Sequence, residues 1–182
     1  MRLIDLYNER VNTQSDINEH LPTLKRYAED CNHITEMGVR WVVSTFAFMM
    51  GTPYRMISYD IDPVENYNFN RNELKEIAAE ANINFDFYEA NTLELEIEET
   101  DLLFLDTDHT YQQVSSELKL HGNKSKKYII FHDTESFGNG GFQGDTVGIV
   151  KAIEEFIQEN PHWSILEHYS NNNGLTILKR TW

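Results

Sequence analysis

The sequence is poor in cysteine, in cations, in proline and in long apolar runs. Its 182 residues include one cysteine, Cys31. No internal disulfide can form, which points to a reducing compartment and a cytoplasmic location. Cys31 itself reads as a small residue near a helix end. Fifteen Lys and Arg face thirty Asp and Glu, for a net charge of −15. A nucleic-acid binder needs a basic face to neutralise phosphates, so nucleic acid is excluded as a routine partner, and anionic membrane surfaces are disfavoured. The one basic cluster, Lys124, Lys126 and Lys127, reads as a solvated turn. No stretch of eighteen apolar residues exists to span a bilayer. Met1 to Arg10 carries Asp5 and Glu9 and lacks the apolar centre of a secretory signal. The four prolines leave room for regular elements throughout.

What is present is an ordinary globular balance, 40% hydrophobic and 25% charged. It supports one domain over 1–182, with residues 1–30 as a helical extension that serves as lid or interface, and oligomer formation left open. The chain alternates helical and strand patterns, the signature of an α/β fold with a mostly parallel sheet and helices on both faces. Strands are expected at His33–Gly38, Arg55–Tyr59, Asn84–Tyr88, Leu102–Leu105 and Tyr128–Phe131. Helices are expected from Ser15 to Asp30 (starting late because of Pro22) and at Val39–Met50, Asn72–Ala81, Tyr111–His121 and Thr146–Glu159. The acidic stretch Glu94 to Asp101 reads as a solvated loop. Two last strands, about Ser164–Tyr169 and Leu175–Lys179, flank Asn171-Asn172-Asn173-Gly174, a turn signal that makes them an antiparallel hairpin.

In an open α/β sheet, ligands bind beyond the carboxyl ends of the strands. Five consecutive strands here end in acid, amide or histidine: Glu36 and Gly38; Asp60 and Asp62; Glu89 and Asn91; Asp106, Asp108 and His109; His132 and Asp133. Gly38 permits close backbone approach to a ligand. Asp60 is placed to accept from ribose hydroxyls, and Asn91 to bond an adenine edge. Asp62 reads as turn chemistry before Pro63, and Asp108 as the cap of the helix from Tyr111. Asp106, His132 and Asp133 form a set of oxygen and imidazole donors for a divalent cation such as Mg²⁺ or Mn²⁺. His109 or His132 could alternatively serve as a general base. The loop Gly138 to Gly144 lacks the Lys-Ser/Thr ending of a P-loop and reads as a lid, with Phe137 and Phe142 packing on a ligand.

Taken in order, Glu36-x-Gly38, Asp60-Ile61-Asp62-Pro63, Asp106-x-Asp108-His109-x-Tyr111 and Phe131-His132-Asp133-Thr134 resemble the class I S-adenosylmethionine-dependent methyltransferases. More narrowly they resemble a small bacterial branch with macrocin-type and rhamnosyl O-methyltransferases and cephalosporin-hydroxylase relatives. The resemblance runs from about residue 30 to the C-terminus. It implies a Rossmann-like fold with a seven-stranded sheet whose last strand is antiparallel. It implies S-adenosylmethionine as cofactor, held by Glu36, Gly38, Asp60, Asn91 and Asp106. It implies a metal at Asp106, His132 and Asp133, where His132 suits a transition metal, and places His109 near the reacting hydroxyl. The expected activity is methylation of a hydroxyl on a small molecule or sugar. Val42 stands where the family's first loop has its second glycine, and Arg40 and Trp41 are bulky neighbours. Two further readings follow: a methyltransferase-like fold serving as a binding or assembly module, and a metal-dependent hydrolase or hydroxylase built on Asp106, His132 and Asp133.

Overall fold

A computed structural model of the chain describes residues 2–181; Met1 and Trp182, the ends of the expected 1–182 span, lie outside the described residues. The chain forms two compact units, one up to Thr92 and one from Leu93. Among the described residues the strand order is Asn84–Glu89, Arg55–Asp60, His33–Met37 within the first unit, and Thr100–Leu105, Ser125–His132, Leu175–Arg180, Trp163–Tyr169 within the second.

The first unit holds β1 (His33–Met37), β2 (Arg55–Asp60) and β3 (Asn84–Glu89), paired in parallel with β2 central. Its helices are α1 (Leu3–Asn12), α2 (Leu21–Ala28), α3 (Val43–Met50) and α4 (Arg71–Glu80). Pro22 occupies the first turn of α2, where its missing N–H costs nothing, so the helix starts there and not at Ser15. α1 and α2 pack on α3, whose residues Ser44 to Met49 are all buried. Such all-round burial explains why α3 carries almost no polar face. Cys31 lies buried just after α2 and its thiol donates to the Tyr27 carbonyl.

One expectation fails here. The apolar segment starting at Val39 is not helical until Val43, because Arg40 and Val42 adopt left-handed backbone angles, with φ of 46° and 58°. Composition carries no information about the sign of φ, so Val39, Trp41 and Val42 read as helix. α4 is capped by Asn70, whose side chain accepts from the Asn72 amide.

The second unit holds β4 (Thr100–Leu105) and β5 (Ser125–His132) in parallel, then β7 (Leu175–Arg180) antiparallel to β5, and β6 (Trp163–Tyr169) antiparallel to β7. The terminal hairpin thus forms as expected. Its turn places Asn172, Asn173 and Gly174 at positive φ, which Asn and Gly tolerate best. α5 (Tyr111–His121) and α6 (Ile149–Glu159) pack together. Three local corrections follow. Lys126 and Lys127 lie in β5 and not in a turn, since the strand begins at Ser125. The side-chain cap of α5 is Thr110, which accepts from the Gln113 amide, while Asp108 accepts from the Thr110 hydroxyl. α6 starts at Ile149 and not Thr146, because Gly148 has φ 76°. Among the described residues no helix is long and apolar enough to cross a membrane.

Candidate active site

In the first unit the strand ends organise one loop. Glu36, at the end of β1, is wholly buried. Its carboxylate accepts from the hydroxyls of Ser44 at 2.6 Å, Thr45 at 2.9 Å and Ser58 at 2.6 Å. Three hydroxyl donors offset the desolvation of a buried carboxylate and tie β1 to α3 and β2. Gly38 follows with φ 87°, and its amide donates to the Tyr59 carbonyl of β2. Asp60, at the end of β2, closes the loop: its Oδ2 accepts from the amides of Val39 at 2.7 Å and Arg40 at 2.9 Å, and its Oδ1 from Asp62 at 2.9 Å. A carboxylate offers about four lone-pair positions. Three are occupied, which leaves room for one hydroxyl donor. The Ala90 amide donates to the Asp60 carbonyl, and Asn91 stands two residues beyond Glu89, the last residue of β3.

Val42 is fully buried and left-handed. For a β-branched residue this conformation costs about 1–2 kcal/mol. The loop therefore keeps a backbone suited to glycine while carrying a valine whose side chain is enclosed by protein.

In the second unit, β4 and β5 run side by side, and their ends bring four titratable groups together. Asp106 follows β4, His132 ends β5, and Asp133 succeeds it with φ 60°. His109 Nε2 lies 2.8 Å from Asp133 Oδ2 and 3.2 Å from Asp106 Oδ1. His132 Nδ1 lies 3.3 Å and 3.5 Å from Asp106 Oδ1 and Asp133 Oδ2. Its Nε2 donates to the Asn172 carbonyl at 3.2 Å, which leaves Nδ1 turned to the carboxylates. Burial opposes charge on both imidazoles. For His109, hydrogen bonds to Asp106 and Asp133 outweigh that and lift its pKa to about 10. For His132, the nearby charge of Asp106 and the hydrogen bond to it do the same, to about 9. Partial burial also opposes the charge of Asp106, but His132 and His109 hold its carboxyl far below the usual carboxylate range.

Asp133 Oδ1 is buried and accepts no hydrogen bond. Asp106, His109 and Asp133 each offer a donor atom, all within 4.8 Å of one another. An orphaned carboxylate oxygen beside oxygen and imidazole donors fits a divalent cation, with the nitrogen favouring Mn²⁺ or a transition metal over Mg²⁺. The structure gathers His109 into this donor group, which the sequence reading assigned to proton transfer. Only a fold that turns sharply after Asp106 places residue 109 against Asp133, and no spacing rule reveals it.

The glycine-rich segment covers His109. Phe137 stacks on its ring with centroids 4.7 Å apart and planes 2° apart, and Phe142 meets Phe137 edge to face. The Phe142 amide donates to the His109 carbonyl, and Asp145 Oδ2 accepts from the Tyr111 amide at 2.6 Å. Phe137 therefore packs on an imidazole of the cluster.

No protein-family model and no curated protein matches the sequence. Solved structures do match. An O-methyltransferase from Bacillus cereus in complex with S-adenosylhomocysteine is 14% identical, with 98% of this chain and 90% of that one covered and a TM-score of 0.65. A protein from Staphylococcus aureus described as a caffeoyl-CoA O-methyltransferase is 14% identical over 98% and 97%, with TM-score 0.64. A methyltransferase from Podospora anserina bound to S-adenosylhomocysteine is 16% identical over 98% and 87%, with TM-score 0.58. At these identities the likeness is one of fold: the chain has the Rossmann-like fold of class I O-methyltransferases.

Proposed function

We propose that the chain is an S-adenosylmethionine-dependent methyltransferase that acts on a hydroxyl of a small molecule or sugar. The observation that carries this reading is the coincidence of an O-methyltransferase fold with Asp106, His109 and Asp133 gathered at two strand ends. The narrower macrocin-type or rhamnosyl branch is supported by Asp106-x-Asp108-His109-x-Tyr111 followed by His132-Asp133-Thr134. A cytoplasmic location accords with the single reduced Cys31.

S-adenosylmethionine supplies an electrophilic methyl group. The chain's part is binding and orientation. Gly38 and the amides around it form the loop, Asp60 has one acceptor position left for a ribose hydroxyl, and Asn91 offers its amide to an adenine edge. Glu36 acts at one remove, by fixing β1 to α3. Asp106, Asp133 and His109, with His132 beside them, would hold a divalent cation, which lowers the pKa of a bound hydroxyl. Two imidazoliums and two carboxylates sum to zero charge, and a divalent cation that displaces both protons leaves that sum unchanged. Without the cation, His109 is protonated at neutral pH and cannot accept a proton.

A second reading, a methyltransferase-like binding module without activity, is favoured by one observation: Asp60 spends three acceptor positions on its own loop. Calorimetric titration with S-adenosylhomocysteine separates the two. Binding supports the enzyme; no heat at millimolar ligand sinks it. Elemental analysis that finds stoichiometric iron or zinc in protein that does not bind S-adenosylhomocysteine would favour the metal-dependent hydrolase or hydroxylase instead.

A further inference from the structure

The turn that carries His109 is held by α5. Thr107 stands between Asp106 and His109, and its hydroxyl donates to Glu117 Oε2 at 2.8 Å. Thr110 follows His109, and its hydroxyl oxygen accepts from the Gln113 amide at 3.3 Å. Gln113 in turn donates its side-chain amide to Glu117 Oε1 at 2.9 Å. The four residues form a closed circuit. Both flanks of His109 are fastened to α5, and Gln113 joins the two fastenings.

Glu117 is wholly buried, and Thr107 and Gln113 are neutral donors. Taking a carboxylate out of water is costly even when such donors meet it, and packed apolar side chains often replace buried charge without loss of stability. Stability alone is therefore a weak reason for a carboxylate at this position. What it offers beyond an apolar residue is direction, since its two oxygens fix Thr107 and Gln113 at set distances. His109 has use for that precision. Its Nε2 stands 2.8 Å from Asp133 Oδ2 and 3.2 Å from Asp106 Oδ1, and its ring lies flat on Phe137. Groups of a binding or catalytic site must be held within about 0.5 Å of their productive positions. Asp106 and His109 lie one and two residues from Thr107, so a shift of Thr107 moves both.

We propose that Glu117 is a positioning residue: through Thr107 it fixes the turn that sets His109 against Asp106 and Asp133. It acts from behind the turn, by way of a hydroxyl, and is not itself one of the groups that would hold the cation. The consequence for cation binding rests on the methyltransferase reading with its cation; the placement of His109 does not.

The test uses the full chain and three variants. Thr107→Val keeps the shape and removes the hydroxyl, Thr107→Ser keeps the hydroxyl, and Glu117→Gln replaces one acceptor oxygen by a donor. NMR of the metal-free proteins follows the ring signals of His109, with those of His162, beyond α6, as the internal control. Thr107→Val and Glu117→Gln should shift the His109 signals, because the ring moves against Phe137, and leave those of His162 in place. Thr107→Ser should match the natural chain. In calorimetric titration with Mn²⁺, Thr107→Val should bind about tenfold more weakly or worse, and Thr107→Ser as the natural chain does. A lowered melting temperature with unmoved His109 signals and full Mn²⁺ affinity in Thr107→Val would make the circuit a matter of packing and overturn the proposal. If Glu117→Gln fails to fold, Thr107→Val carries the test from the other end of the same bond. A natural chain that binds no Mn²⁺ removes the cation from the cluster. The His109 signals then decide alone: a shift in Thr107→Val keeps the positioning role, and no shift overturns it.

Discussion

Position 42 shows how a single residue can carry two opposed terms. Val42 has a left-handed backbone and a fully buried side chain. Replacement by glycine releases about 1–2 kcal/mol of backbone strain and forfeits about 1.5–3 kcal/mol of side-chain burial. Replacement by alanine forfeits much of the burial and keeps the strain. Val42→Gly should therefore melt no lower than Val42→Ala, the reverse of the usual order, in which glycine is worse by about 0.5–1 kcal/mol. Melting curves of the two variants decide it. A second residue-scale consequence concerns the imidazoles of His109 and His132. Their pKa values in the folded, metal-free chain, about 10 and about 9, stand above the ordinary histidine value of about 6.5. A raised folded pKa gives stability that is full below pH 6.5 and is lost as pH rises through 9 to 10. The urea midpoint of metal-free protein should fall over that window, and Asp106→Asn should flatten the fall. A midpoint that rises from pH 7 to 10 would contradict the ion-paired cluster. Saturating Mn²⁺ or Zn²⁺ at neutral pH should release close to two protons per ion, measured in buffers of different ionisation enthalpy; release near zero would remove the cation from the cluster.

At the scale of elements, the glycine-rich segment is a clamp. A Cβ on Gly141 would stand 2.6 Å from both the His109 carbonyl and an Asp145 carboxylate oxygen. Gly141→Ala should thus lift the Phe142 end of the segment and cost about 1–3 kcal/mol, an overpacking penalty. In NMR it should also shift the His109 ring signals, because Phe137 stacks on that ring. Unmoved His109 resonances would show that the segment and the cluster are independent. Much of this level was legible beforehand. β4 and β5 announce themselves as apolar runs ending in Asp106 and His132, and the hairpin through Asn171 to Gly174. α1 was not singled out, because Leu3 to Asn12 carries only a short buried stripe, Leu6 and Tyr7. Residues 39–42 were misread as helix because their apolar character is that of a buried loop. Partnerships made in space lay further out of reach: Ser58 on Glu36 across 22 positions, and His109 on Asp133 across 24. Strand ends carry a sequence signature, while the side chains that satisfy them do not.

For the whole molecule, the sharpest consequence is linkage between ligand and fold. A ligand that binds only the folded chain stabilises it by RT ln(1 + [L]/Kd), about 2.7 kcal/mol at a hundredfold excess over Kd. For a chain of 182 residues each kcal/mol moves the melting temperature by about 2–4 °C. S-adenosylhomocysteine at that excess should raise Tm by about 5–11 °C if melting is a single transition. The two compact units sharpen the experiment. The groups proposed to hold the cofactor lie mainly in the unit up to Thr92: Gly38, Asp60 and Asn91. The proposed cation group, Asp106, His109 and Asp133, lies wholly in the unit from Leu93. If the units melt separately, S-adenosylhomocysteine should shift the transition of the first, and Mn²⁺ that of the second. If both ligands move one transition together, the chain unfolds as a single cooperative body and binding in either unit stabilises the whole. A Tm that responds to Mn²⁺ but not to S-adenosylhomocysteine would leave the cation site standing and remove methyl transfer as the function.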